Sequence, residues 1–354
     1  MKRLQLLEQL SNLHGAPGHE DDVLNCIIEH CRGLIIERDC INNLFMQRKD
    51  ENKDKPLVAL DCHSDEVGFI VENVNQNGTI SFLPLGRWHI TNIPAHAVVI
   101  KNFKGEFIRG VVASKPPHFM SPDENASLPK IEDLVIDIGT GSYAETVEAF
   151  SIEIGNPVTP DVQFLYDEKT GIMRGKAFDN RLGCAIVTTI MNELKNIDLP
   201  VRPIGVISAQ EELGLRGAQV AANKTKPDFA IIFEGCPADD TFKTADKAHG
   251  ILGKGVQFRV IDAGMVANNR VQNFARKIAE KNNIPYQVIA RSGGQTNGSR
   301  YHLAHEGIPT LVIGVPSRYI HTHYSYAARN DFENAILLGK KILESLDEDT
   351  ISSF

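Results

Sequence analysis

Two adjacent glutamates, Glu211 and Glu212, stand where an apolar run (203–209) gives way to a glycine-punctuated turn, Leu213-Gly214-Leu215-Arg216-Gly217. Like charges side by side at the mouth of a strand cost free energy unless a cation or a shared proton offsets the repulsion. The pair therefore marks a site, and a metal site first of all. The same placement recurs elsewhere. Residues 56–60 lead into Asp61-Cys62-His63-Ser64-Asp65, Asp179 opens a long amphipathic segment (182–194), residues 228–233 end in Glu234, and residues 309–315 run on to His321. In an open α/β sheet, groups just beyond the carboxyl ends of the strands converge on one crevice. His63, Asp179, Glu212, Glu234 and His321 thus form a candidate ligand set.

Each member also has a structural alternative. Asp179 could be a helix N-cap, Glu234 a solvated turn acid, and a lone His63 a hydrogen-bonded structural residue. His323, two residues beyond His321, competes with it, whereas His302 and His305 read as surface or supporting groups. Asp65 lies two positions past His63, and in an extended chain such residues share a face. Its carboxylate could accept the second imidazole N–H and fix the tautomer.

Two imidazoles and three carboxylates suit two divalent cations, zinc first, with cobalt or manganese also accommodated. In a two-metal site a water between the ions is acidified and a scissile carbonyl is polarised. Asp179 is the natural bridging group. Adjacent residues do not readily aim at one ion, so one glutamate of the pair should coordinate while the other, Glu211, stays free as general base.

The elements that must position these groups follow from periodicity. Helical spacing covers 2–13 and 20–32, and strand-like text covers 34–38 and 44–47. Between 67 and 165 short β-rich runs alternate with Gly, Pro and Asn turns, which reads as an inserted β domain. Within it, residues 114–130 form a polar, proline-bearing loop whose His118 is a weak candidate for touching substrate. From 171 onward α/β alternation returns, with helices over 180–194, 214–222, 265–282 and 332–346. The expected division is a catalytic unit of residues 1–66 and 166–354, interrupted by 67–165. Gly139-Thr140-Gly141 lacks the third glycine and the βαβ setting of a dinucleotide fingerprint.

A chain of 354 residues with 42% hydrophobic and 23% charged residues has the composition of a soluble globular protein, and its net charge of −8 disfavours nucleic-acid or anionic-membrane surfaces. The six cysteines form no C-x-x-C pair and read as reduced core residues. No stretch approaches the roughly 18 apolar residues of a membrane span. The first residues read as a helix rather than a signal peptide. A cytoplasmic protein acting on small molecules or peptides is expected.

Five segments together carry a family likeness: His63-Ser64-Asp65-Glu66-Val67-Gly68-Phe69, Lys176-Ala177-Phe178-Asp179-Asn180-Arg181, Glu211-Glu212-Leu213-Gly214, Leu252-Gly253-Lys254-Gly255 and Arg318-Tyr319-Ile320-His321. In this order the chain resembles the tetrahedral (TET) cocatalytic aminopeptidases, which include glutamyl, leucyl and deblocking enzymes and some members with an endoglucanase label. The resemblance implies an α/β fold, a zinc-peptidase-like α/β/α sandwich with an inserted small PDZ-like β-barrel. It also implies homo-oligomers from dimers to dodecamers that trim short peptides. One ion would take His63 and Glu234 and the other Glu212 and His321, with Asp179 bridging, Glu211 as base and Asp65 behind His63. Spacing from Arg318 selects His321 over His323. One departure stands out: the family's Gly-Gly-Thr-Asp loop is here Gly294-Gln295-Thr296-Asn297, which puts specificity and activity in question.

Two other functions compete. A glycoside hydrolase would use a carboxylate pair, but such acids face each other roughly 5–9.5 Å apart across the sugar, and Trp88 is the one tryptophan available for a sugar platform. A catalytically silent peptide-binding oligomer has only the altered loop in its favour.

Overall fold

The computed structural model describes residues 2–49 and 52–354. Helices α1 (Lys2–Asn12) and α2 (Asp21–His30) lead into strands β1 (Ile35–Arg38), β2 (Leu44–Gln47) and β3 (Leu57–His63). Strands β4 (Gly68–Val74), β5 (Ile80–Leu85), β6 (Ala97–Lys101), β7 (Phe107–Ala113), β8 (Val135–Asp137) and β9 (Pro157–Pro160) follow, with the short helix α3 (Pro122–Ala126) before β8. The chain continues through β10 (Leu165–Asp167), β11 (Ile172–Gly175), α4 (Phe178–Leu194), β12 (Arg202–Ser208), α5 (Arg216–Thr225), β13 (Phe229–Ala238) and β14 (Val256–Ile261). It ends with α6 (Asn269–Lys281), β15 (Tyr286–Ala290), α7 (Gly298–Tyr301), β16 (Thr310–Arg318), β17 (Ser325–Ala328), α8 (Arg329–Ser345) and α9 (Glu348–Ser352).

Strands from both parts of the chain share one mixed sheet, in the order β1-β2-β12-β3-β13-β16-β17-β11-β10, with β14 joined to β16 and β15 to β14. Its centre, β12-β3-β13-β16, is parallel throughout. Such strands are buried on both faces, and alternation along β3 shows how the faces divide. Val58, Leu60 and Cys62 join the core formed with α1, α2, α4, α6 and α8, while Ala59 joins the core formed with α5 and α7. Strands β4-β5-β8-β7-β6-β9 close into a barrel with its own core around Phe69, Phe82 and Ile136. The polar segment read as a loop contains α3, where Ser121 and Glu124 form a capping box. His118 is exposed there.

Two buried polar networks lie beneath the carboxyl ends of the parallel strands. Lys176 Nζ reaches both oxygens of Glu66, at 2.6 and 2.7 Å, and Arg181 Nη2 reaches Glu66 Oε1 at 3.2 Å. Arg181 also donates to the carbonyls of Leu10, Leu13 and Ser64, tying α1 and the end of β3 to α4. All three charged side chains are buried. Burial would raise the Glu66 pKa, but the two cations beside it hold it below the usual carboxylate value. The second network centres on Asp61, which accepts from Ser208 Oγ (2.5 Å), Asn297 Nδ2 (2.6 Å) and Tyr301 Oη (3.1 Å). Asn297, the neutral residue of the departing loop, therefore faces a fully buried carboxylate. An aspartate in its place would set a second anion against Asp61.

Two outcomes follow from these networks. Glu66→Gln strands two buried cations and should cost about 3–5 kcal/mol, read as a lower denaturant midpoint with unchanged slope. Asn297→Asp should cost about 3 kcal/mol for the same reason, and combining it with Asp61→Asn should recover most of that loss. A double variant no more stable than Asn297→Asp alone would show that charge pairing is not what selects asparagine here.

Candidate metal centre

The Glu211–Glu212 pair is placed by backbone as much as by side chain. Asp65 Oδ1 accepts the Glu211 amide and Asp65 Oδ2 the Glu212 amide, each at 3.0 Å. The Asp65 carboxylate is thus committed to the glutamate turn. His63 Nδ1 donates to the Asp65 carbonyl at 3.1 Å, with Asp65 Oδ1 farther away at 3.4 Å. The expected side-chain contact to the imidazole is therefore secondary to a main-chain one. Ahead of the pair, Gln210 has a left-handed φ of 54°, and its amide is held by Glu20 Oε1 at 3.2 Å. Residues in such sparsely populated conformations persist where the surroundings over-determine them. Ala177, Tyr319 and His321 share this conformation near the site, as do residues elsewhere in the fold such as Asn42, Ser151 and Asn283.

Asp179 is not the cap of its helix. Asp179 and Asn180 have non-helical dihedrals inside α4, and Asn180 Oδ1 accepts the Gly183 amide at 2.9 Å while its Nδ2 donates to the Phe233 carbonyl. Asn180 takes the capping role, which leaves both Asp179 oxygens facing the cleft. Glu234 also differs from its expected place: β13 continues to Ala238, so Glu234 lies within the strand. It is two residues past the Ile232–Asp61 pairing and hence level with His63.

The candidate residues meet. His63 Nε2 is 3.0 Å from Asp179 Oδ1, 3.2 Å from Glu234 Oε1 and 4.0 Å from Glu211 Oε2. His321 Nε2 is 3.3 Å from Asp179 Oδ2 and 3.6 Å from Glu212 Oε2. Ligand atoms therefore cluster as His63–Asp179–Glu234 and Asp179–Glu212–His321, with a third combination, His63–Glu211–Glu212, between them. His323 is turned away, stacked on His96 at 4.0 Å between ring centroids. His302 bonds the Gly298 carbonyl and His305 the Ala222 carbonyl, both outside these clusters.

Protonation follows from burial and crowding. Burial and neighbouring carboxylates push Glu211 well above the usual carboxylate value, against the pull of His63. Burial raises Glu212 to about 7 and Glu234 to about 8, opposed by the histidines. Asp179, despite its burial, is held well below the usual value by hydrogen bonds from His321 and His63. Burial disfavours charge on the imidazoles, but Glu212 and Asp179 raise His321 to about 10, and Glu211 and Glu234 push His63 well above its ordinary value. Raised carboxylates and charged imidazoles thus offset repulsion in an array that has more carboxylates than imidazoles. Glu212 Oε1 and Glu234 Oε2 remain buried with no hydrogen-bond partner among the described residues, a situation that ordinarily costs about 1–3 kcal/mol per group. Hard oxygen donors, two imidazole nitrogens and unmet lone pairs fit divalent cations.

Above the cluster lies a cavity of about 860 Å³. Its floor is Asp179, Glu211, Glu212, Glu234 and His321, and its walls include Arg87, Arg259, Arg291 and the loop Gly293–Thr296. His118 is not among its lining residues. Sequence reasoning missed the arginines, Glu20, Asp61 and the Glu66–Lys176–Arg181 cluster. Asp61 was open to notice, because an acid directly after the apolar run 56–60 needs a partner.

Known proteins resemble this chain in sequence and fold over nearly its whole length. The sequence model described as M42 glutamyl aminopeptidase matches residues 42–338. The glutamyl aminopeptidase of Lactococcus lactis is 31% identical over 99% of this chain and 97% of its own length. Among solved structures, a TET aminopeptidase from a marine sediment Thaumarchaeota archaeon superposes with a TM-score of 0.95 at 32% identity, covering 100% of this chain and 99% of that one. An aminopeptidase from Desulfurococcus kamchatkensis superposes at 0.93 with 29% identity, covering 99% and 97%. With a mixed α/β sheet, a closed barrel and a cluster of acids and imidazoles suited to divalent metal, the chain belongs to the M42 glutamyl aminopeptidase family and is a hydrolase of peptide bonds.

Proposed function

We propose that the protein removes N-terminal residues from short peptides at a centre of two divalent cations, zinc foremost, with cobalt or manganese as alternatives. The observation that carries this reading is Asp179, whose two oxygens face different histidines, each with its own glutamate. His63 and Glu234 would hold one cation, Glu212 and His321 the other, and Asp179 both. When bound, such ions polarise a scissile carbonyl and acidify the attacking water. Glu211 lines the cavity without a place in either Asp179-sharing group, so its carboxylate is available to take the water's proton and deliver it to the leaving amine nitrogen. Asp65 acts behind it by fixing the Glu211 and Glu212 amides. The acidic floor also suits the substrate's free α-ammonium group.

The walls indicate which first residue is accepted. Arg259 is engaged with Asp262 at 3.2 Å, while no ion pair to Arg291 occurs among the described residues. Arg291, whose Nη2 also donates to the Pro237 carbonyl, and Arg87 are thus the cations available to an acidic first side chain. No tyrosine, tryptophan or phenylalanine lines the cavity among the described residues, which leaves a sugar ring without a stacking platform.

We further propose that residues 1–66 and 166–354 form the catalytic unit and that 67–165 serve homo-oligomerisation, from dimer up to dodecamer. Phe103 and Ile154, 61% and 67% exposed on the barrel side, support this. A cytoplasmic location accords with the reduced cysteines, and among the described residues no helix is long and apolar enough to cross a membrane.

Hydrolysis of aminoacyl anilides should vanish with a chelator and return with zinc or cobalt. Glu211→Gln should keep its metal content and lose about 10²–10⁴ in kcat, whereas equal loss of metal and rate would contradict the base assignment. In a substrate panel, glutamyl anilide should be preferred over lysyl anilide. Arg291→Ala should cut kcat/KM for glutamyl substrate about 10–100-fold, the worth of one charged hydrogen bond, and leave leucyl substrate nearly unaffected.

A further inference from the structure

His321 is carried by a turn that its own sequence does not favour. Tyr319 and His321 both have φ of 59°, a left-handed conformation that non-glycine residues hold only when neighbours impose it. Those neighbours come from the barrel side. His321 Nδ1 donates to the Arg87 carbonyl at 2.9 Å, which leaves Nε2 facing Asp179 and Glu212. Gly86, at φ 84°, packs so closely that an added Cβ would lie 2.6 Å from Val67 Cγ1 and 3.3 Å from Glu212 Oε2.

His323 completes the attachment. It is 1% exposed, stacks on His96 with rings 19° from parallel, and packs against Trp88 at 5.2 Å. Trp88 in turn stacks on Phe69 in the barrel core at 4.8 Å and donates its indole N–H to the Gly68 carbonyl. His321 of the Asp179–Glu212–His321 group is therefore braced by the segment after β5, and Gly86 of the same segment passes close to Glu212. The His63–Asp179–Glu234 group draws on β3, β13 and the head of α4.

We propose that the inserted barrel is a working part of the metal centre: Gly86, Arg87, Trp88 and His96 hold the His321 turn, with His323 as the positioning residue, and this bracing governs binding of one cation and not the other. The inference rests on the two-cation reading above. Supporting groups that orient a ligand commonly change metal affinity 10–100-fold, which is the scale expected here.

The test uses the full-length protein, stripped of metal and titrated with zinc alone by calorimetry, with bound zinc counted by elemental mass spectrometry. The parent should bind two ions. His323→Ala should weaken one binding event about 10–100-fold and spare the other, while His323→Phe, which keeps a ring in the stack, should retain both. Gly86→Ala offers an independent route to the same selective loss should His323→Ala fail to fold. A parent that binds one ion overturns the two-cation reading and this inference together. A two-ion parent overturns the inference alone if His323→Ala keeps both events, weakens both equally, or is matched by His323→Phe; where His323→Ala does not fold, the same outcomes with Gly86→Ala overturn it.

Discussion

Four carboxylates and two imidazoles crowd one partly buried cleft, and holding so much like charge in place is the constraint on which the surrounding architecture depends. Repulsion would spread Asp179, Glu211, Glu212 and Glu234 apart unless their backbones were fixed independently of their side chains. Each is fixed in that way. Asp65 holds the two amides of the glutamate turn, Glu20 holds the residue before it, Asn180 anchors the head of α4, and Glu234 sits within a ten-residue parallel strand. The charged groups are thus aimed by anchoring of their own main chain rather than by contacts of their side chains alone.

The second requirement is that the supports be as well buried as the site. Glu66, Lys176 and Arg181 replace water with one another and with carbonyls from α1 and β3. Asp61 does the same with Ser208, Asn297 and Tyr301. The asparagine that departs from the family's acidic pattern is thereby explained by its partner. Loop 294–297 keeps a wall position at the cavity while being moored to the strand that carries His63.

Much of this was legible beforehand because acids and imidazoles at the ends of apolar runs are chemically out of place. His63, Asp179, Glu212, Glu234 and His321 all drew attention for that reason, and the break in helical periodicity at 67–165 marked the stretch that contains the barrel. What escaped was of another kind. The backbone of β13 continues past Glu234 because its pairing with β16 extends to Ala238, and a hydrophobic run cannot reveal where pairing ends. The capping role went to Asn180 rather than Asp179 because a tertiary contact with Phe233 decides it. The Arg87 carbonyl leaves no trace in side-chain pattern, and charges as distant in sequence as Glu66 and Arg181 give no local sign of their meeting. Periodicity reports on faces, not on partners.

The topology also sets an order of assembly during synthesis. Barrel strands β4 to β9 come from one continuous stretch and can pair as soon as they leave the ribosome, as domains generally do. The central sheet cannot, because β16, which sits between β13 and β17, follows β13 only after β14, α6, β15 and α7. Until then β13 presents an unpaired edge, and His321 has not yet joined the acids. The Asp179–Glu212–His321 group is therefore incomplete until the chain has been made past β16.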